Sequence, residues 1–385
     1  MSSVANWHQL TEASGKLSHD AEILEPGYSL RGFLPARDPL TEFPVDSPYR
    51  LLDQIGRDLP SLLHDKQFRS YARTLAIPFW YNAVNPDTLP ALRLYYLRLG
   101  FLASAYINQV GQRPCHELPA NISIPLVHVC NVLQRPPILS YNGYALYNWH
   151  RFQSERPIEL GNIDTIQSFV HLYDEHWFIL IHVEIEAIAA EILAAIAAIY
   201  RHQQGEAGYL VDAGLWKIAR AVERQVAVLK RIPEHMDPAL YFKAFRPYIR
   251  FFENVVYEGV KHQAMDFRGE TGAQSSIMPV LVAFLKIPHQ ASILTKHLHT
   301  MRVYMPAKHR VLIKQVEAMP SVRSPEYKQS FNAILDQIVE FRKVHLGWAR
   351  EYIHQHVKDP RGTGGTPYMQ WLNQLLEETT AYKLS

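Results

Sequence analysis

Cysteine is almost missing from this 385-residue chain: Cys115 and Cys130 stand far from any CxxC or CxxCH pair. That excludes a disulfide framework, a thiolate zinc site, dithiol redox chemistry and attachment of a prosthetic group through paired thiols. The two thiols fit a reducing compartment, and a cytoplasmic location is expected. An excess of charge of one sign is missing too. Lys and Arg number 39 against 37 Asp and Glu, a formal net charge of +2, with no basic block or polybasic tail. Neither a nucleic-acid nor a membrane surface is therefore expected. Long apolar runs are absent: the greasiest tract, residues 185–200, is interrupted by Glu186 and Glu191 and is too short to cross a bilayer. It reads as a buried helix. No basic segment leads into an apolar run at the start, so no signal peptide is expected. HExxH, Walker, GxSxG and dinucleotide-binding patterns are lacking as well, which removes the usual zinc, nucleotide and serine-hydrolase signals.

What is present is enough for a large core. Apolar residues make up 48% and charged residues 20%, the balance of a globular chain long enough for two domains. Pro26, Pro35, Pro39, Pro44 and Pro48 punctuate an irregular beginning. Helical apolar patterns follow at residues 51–64, 67–78 and 89–110, the last with Pro90 in its first turn. Residues 114–149 read as a looped segment packed on helices, with 122–129 as a possible short strand. Helical periods then fill 164–200, 212–232, 238–252, 290–304, 308–318, 327–356 and 368–382. Asp212 and Asp237-Pro238 are expected helix starts. The fold class expected is all-α, with a small, mainly helical domain over residues 1–160 and a large all-helical domain over 161–385.

Several groupings could carry chemistry. Phe331, Ile334, Leu335, Ile338, Phe341, His345, Trp348 and Tyr352 share one helical face, so His345 points where core residues point. It is either a hydrogen-bonded interior histidine or an axial haem ligand, with Arg342 one turn earlier as a propionate partner. Arg246 follows Tyr241 and Phe242; it could clamp a carboxylate amid rings or form a structural ion pair. The loop Gly362-Thr363-Gly364-Gly365-Thr366 could be a mobile lid or a plain turn, and residues 267–276, glycine-bearing too, share that ambiguity. A di-iron bundle needs two ExxH pairs, but only Glu351–His354 is present, and His182 with Glu186 is a single one-turn pair.

Taken in order, these segments resemble the indoleamine 2,3-dioxygenase family of haem proteins. The landmarks are Leu118-Pro119-Ala120, Pro136 to Tyr141, Asn148-Trp149, Val183-Glu184-Ile185, Tyr257-Glu258-Gly259, Gly272 to Ser276, Arg342 to Leu346 and the Gly362–Thr366 loop. The resemblance implies haem b held in the larger domain, with His345 as the iron ligand and Arg342 beside a propionate. It implies Arg246 on the substrate carboxylate, Tyr241 and Phe242 on the indole, Thr363 on the amino-acid portion, and Tyr141, Thr271 and Gly272 lining the pocket. No side chain is implied as a catalytic acid or base. The implied reaction inserts both atoms of the co-substrate dioxygen across the indole C2–C3 bond of tryptophan or a related indoleamine, giving an N-formylkynurenine-type product. A separate electron donor would first reduce ferric haem. Three distal-pocket candidates depart from a mammalian member of the family: Leu180 stands for a serine, His176 for a phenylalanine and Tyr144 for a cysteine. They leave open a monooxygenase acting on an indole ring, or a non-enzymatic haem gas sensor.

Overall fold

The computed structural model describes residues 30–205, 210–356 and 368–385. The apolar periods become α1 (Arg50–Leu62), α2 (Phe68–Thr74) and α3 (Leu89–Asn108), then α4 (Ala120–Val132) and the 31-residue α5 (Tyr173–Gln203). They continue as α6 (Val211–Leu229), α7 (Ile277–Leu285), which no expected helix covered, α8 (Ile293–Met301), α9 (Ala307–Ala318), α10 (Lys328–Tyr352) and α11 (Tyr368–Ala381). The chain is predominantly helical. At the Asp237 start, Oδ1 accepts from the amides of Ala239 at 2.8 Å and Leu240 at 2.9 Å, as a capping aspartate should. Asp212 instead lies inside the first turn of α6 and takes the Ser330 hydroxyl at 2.5 Å.

Besides α7, two segments depart from the sequence reading. Residues 120–132 form α4 rather than a loop or strand: Ile122, Leu126, Val129 and Cys130 are fully buried, which outweighs the hydrogen bond lost at Pro125 inside the helix. Residues 238–252 are not one helix. Regular turns stop at Phe245, and the chain enters β4 (Phe252–Tyr257), which pairs antiparallel with β5 (Lys261–Phe267). Pro247 brings no amide hydrogen to continue the helix, and Val255-Val256 favours extended backbone. Gly259 turns the hairpin at φ +74, and a Cβ there would meet the Ile124 side chain at 2.8 Å. β1 (Glu117–Leu118) joins β4 in parallel, giving the order β1-β4-β5, and β2 (His150–Arg151) pairs with β3 (Ile163–Asp164). Small sheets thus supplement the all-α expectation.

Two hydrophobic cores result. One gathers α1 to α4 and the β4–β5 hairpin; the other gathers α6, α7, α9 and α10; α5 contributes to both. The first core contains an ion pair that no apolar pattern reveals. Asp53 is 0% exposed and Arg98 3%, at 3.1 Å. Asp53 also accepts the Phe43 amide at 2.7 Å, while Arg98 donates to Gln167 at 2.8 Å and to the Thr41 carbonyl at 3.0 Å. The pair ties the irregular beginning to α1, α3 and the segment before α5. Asp53→Ala would leave the Arg98 charge buried without its carboxylate, and should cost on the order of 3–5 kcal/mol in chemical denaturation. An unchanged denaturation midpoint would mean the other acceptors suffice.

Candidate functional site

On α10, Ile334, Leu335, Ile338, Arg342, Ala349 and Tyr352 are buried, yet His345 on the same side is exposed. Its imidazole is nevertheless pushed down to about 4, by burial first and by neighbouring His182 second. An imidazole with accessible surface that is nevertheless surrounded by protein keeps its neutral form at neutral pH. Arg342, one turn earlier, donates from Nη1 to the Leu375 carbonyl and the Thr379 hydroxyl, so it fastens α11 to α10. Burial pushes its guanidinium down to about 10.

A five-residue π-helical turn, Tyr241–Phe245, forms another wall. The wider turn rotates successive side chains differently from an α-helix, a geometry common at binding sites. It sends the Tyr241 ring against Phe178 at 5.4 Å, Phe245 at 5.2 Å and Tyr352 of α10 at 5.8 Å. Arg246 closes the turn through its amide to the Tyr241 carbonyl at 3.0 Å. Its guanidinium lies 5.3 Å from the Phe242 ring centroid. Burial raises the Tyr241 phenol to about 12, with Arg246 opposing the rise, so the hydroxyl stays protonated. The residues named for carboxylate and indole contact therefore do come together.

A second π-helical turn, Asn142–Leu146, begins beside Tyr141 and carries Tyr144. Tyr141 is anchored through its amide to Gln274 Oε1 at 2.9 Å, donates its hydroxyl to Glu186 Oε1 at 2.7 Å, and meets His182 edge-on at 5.8 Å. Tyr144 donates to Glu175 Oε1 at 3.1 Å and lies 6.2 Å from Phe178. Thr271 caps a short turn through its side chain, and a Cβ on Gly272 would find nothing within 4 Å, so open space lies beside it. Of the distal candidates, Tyr144 joins this wall. His176 is turned to β3, with Nδ1 2.9 Å from Asp164 and 3.1 Å from Thr165, and Leu180 is 1% exposed within the first core. Thr363 and the 362–366 loop lie outside the described residues.

The face that α5 gives to this wall is Phe178, His182 and Glu186, at successive steps of four, joined by Glu175. None of these was singled out for the pocket from the sequence. The available signal was a histidine and a glutamate interrupting an apolar tract on one face. His182 Nδ1 is 2.7 Å from the Phe178 carbonyl, so that nitrogen carries the proton and Nε2 keeps its lone pair. These donors suit a flat prosthetic group. Among the described residues no three His, Cys, Asp or Glu assemble to hold a metal by themselves. A single accessible imidazole on a rigid helix is the kind of side chain a porphyrin iron can take as a ligand.

Burial pushes the carboxyls of Glu175 and Glu186 up to about 7 and that of Glu270 up to about 8. The ordinary glutamate value is 4.5, so between there and the raised values the unfolded chain has lost protons that the folded chain still holds. Stability should therefore fall as pH rises from about 4.5 through about 7 for Glu175, and level off above. Glu175→Gln should flatten the plot of unfolding free energy against pH by on the order of 1 kcal/mol per pH unit in that window. An unaltered slope would mean Glu175 is already ionised in the folded state.

The indoleamine 2,3-dioxygenase family profile matches residues 28–360, most of the chain. Mouse indoleamine 2,3-dioxygenase 1 is 28% identical, covering 97% of this chain and 98% of the relative. The Saccharomyces cerevisiae indoleamine 2,3-dioxygenase is 28% identical over 91% of each chain. A 6-hydroxytryptophan 2,3-dioxygenase of Fusarium equiseti is 26% identical, over 84% of this chain and 82% of the relative. With the profile spanning both cores and every wall of the site described above, this chain belongs to the indoleamine 2,3-dioxygenase family.

Proposed function

We propose that the chain cleaves the indole C2–C3 bond of L-tryptophan or a related indoleamine with both atoms of dioxygen, giving an N-formylkynurenine-type product, and that it uses haem b ligated by His345. The relative named for 6-hydroxytryptophan brings ring-hydroxylated tryptophan within the candidate substrates. When bound, haem b supplies the dioxygen chemistry that no amino-acid side chain provides. The observation that carries the reading is the family profile over residues 28–360, together with an accessible His345 on the otherwise buried side of α10, one turn from buried Arg342. At neutral pH that imidazole offers a lone pair without first having to release a proton.

The other residues bind and orient. Arg246, 5% exposed beside Tyr241 and Phe242, is suited to grip a carboxylate with parallel hydrogen bonds. The rings of Tyr241, Phe242 and Phe178 offer faces and edges to an indole and keep water from it. Arg342 would set positive charge near a propionate while fastening α11, and Thr363 would contact the amino-acid portion of the substrate. No described helix is long and apolar enough to cross a membrane. The chain lacks a dinucleotide-binding pattern, so a separate electron donor would reduce ferric haem before turnover.

His345→Ala should abolish the axial-ligand signature in ferric and ferrous absorption spectra; identical spectra would sink the assignment. Arg246→Ala should keep haem content while weakening L-tryptophan binding by roughly ten- to a hundredfold, the range for losing a charge-assisted pair. Equal affinity in the two proteins would remove Arg246 from the site. Turnover under isotopically labelled dioxygen should place two labelled atoms in the product. A single labelled atom would make the enzyme a monooxygenase.

A further inference from the structure

His182 has no part in the roles assigned so far. Its neighbours Ile179, Leu180, Ile181 and Val183 are all buried, yet His182 keeps accessible surface, as does Phe178 one turn earlier. The two side chains share one face of α5, ring against ring at 4.6 Å. His182 Nδ1 gives its proton to the Phe178 carbonyl at 2.7 Å, so in the neutral ring Nε2 can only accept. Burial lowers the pKa of the imidazole, which favours that neutral form. Among the described residues no hydrogen bond reaches Nε2. A reachable acceptor of fixed tautomer therefore stands on a rigid helix, and it calls for a donor from outside the chain.

The company of His182 limits what that donor can be. The Arg246 guanidinium lies against Phe242; Tyr241, in the same turn, meets Phe178 at 5.4 Å, and Phe178 meets His182. On α10, His345 is near enough for a charge on His182 to lower its pKa. His182 thus comes last in a series of rings that starts beside the carboxylate clamp. An amino acid carries its carboxylate and ammonium on one carbon, so with Arg246 on the carboxylate the ammonium stays at that end. The donor that tryptophan carries farthest from its carboxylate is the indole N–H, and a buried indole N–H normally finds an acceptor. The phenols of Tyr141 and Tyr144 on this wall are already engaged with Glu186 and Glu175.

We propose, resting on the dioxygenase reading above, that His182 is a substrate-binding residue whose Nε2 accepts the hydrogen bond of the indole N–H and so fixes which way round the indole sits. Rings restrain the plane of an indole but distinguish its two edges poorly. A half-turn about the bond from the methylene to the ring exchanges the edge bearing C2 and N–H with the edge of the six-membered ring. A clamp on the carboxylate leaves that half-turn free. One directional acceptor on a rigid helix removes it, and the C2–C3 bond is then presented in a single orientation. A site that hydrogen-bonds a substrate N–H also discriminates against an analogue lacking it, because the polar atom of the site is then left alone.

The test is calorimetric binding to the haem-loaded ferric protein, free of turnover, with L-tryptophan and its benzothiophene analogue, in which sulfur replaces the ring N–H. The wild-type protein should bind L-tryptophan roughly tenfold more tightly than the analogue, the value of one buried hydrogen bond. His182→Leu should bring the two affinities together by weakening tryptophan alone, whereas His182→Gln, whose amide oxygen also accepts, should keep a preference. Haem content and the ferric absorption spectrum should stay those of the wild type in His182→Leu, since His345 holds the iron. Equal binding of the two ligands by the wild-type protein, a comparison that needs no variant to fold, overturns this inference and leaves the dioxygenase reading standing. So does a preference that persists in a haem-loaded His182→Leu protein. A ferric spectrum that passes from low-spin to high-spin in that variant would make His182 an iron ligand, and overturns the inference as well. Binding of neither ligand overturns both readings together.

Discussion

α5 is the helix on which both cores and the site depend, because one rigid rod must satisfy three environments at once. Ile179, Leu180 and Val183 pack into the first core, and Trp177, Ile181 and Ile185 into the second. Between those faces run Phe178, which packs against both cores, His182 and Glu186. With 3.6 residues per turn, a change of register anywhere along the helix would move all three sets together. The docking of Gly32 on its flank shows how tightly the rod is held. At φ +63, a Cβ on Gly32 would lie 1.9 Å from the Glu186 carbonyl oxygen, a space only glycine can enter.

The site is unusual for the quantity of ionisable material around it. Tyr141, Tyr144, Glu175, Glu186 and Glu270 are each at most 3% exposed. Two of the carboxyls are matched to phenols, and Glu175 also accepts the amides of Phe169 and Val170 at 2.9 Å. Such burial costs free energy that an all-apolar lining would not, and it persists where the polar groups bind or orient something. The same physics governs His345. Desolvation keeps its imidazole neutral, which is the form a metal ligand must take.

Two π-helical turns, Asn142–Leu146 and Tyr241–Phe245, stand next to the residues that family resemblance marks as substrate contacts. Each replaces ordinary i→i+4 bonding by a wider turn, and each sends tyrosine rings towards Phe178. Membership of the indoleamine 2,3-dioxygenase family thus coincides with a local backbone irregularity at the places where side-chain direction matters most.

The sequence by itself determined the helical character and the lengths of the strongly periodic helices. It also determined His345 on the apolar face of α10 and the aromatic company of Arg246. These depend on local spacing, and local spacing is visible in a string of letters. Only the tertiary structure decided the rest. Residues 120–132 become a helix because burial outweighs their prolines, and residues 252–267 become a hairpin because their partners lie across the fold. Resemblance pointed to His176 and Leu180 on α5; His176 is turned to β3, Leu180 packs in the same core as Tyr141 and Tyr144, and Phe178, His182 and Glu186 form a further face of the helix. Two residues, roughly 200° around the axis, separate His176 from Phe178 and Leu180 from His182, and no pattern within α5 states which face meets the site. That is settled by Tyr141, Tyr241 and Ser275, which reach it from distant parts of the chain.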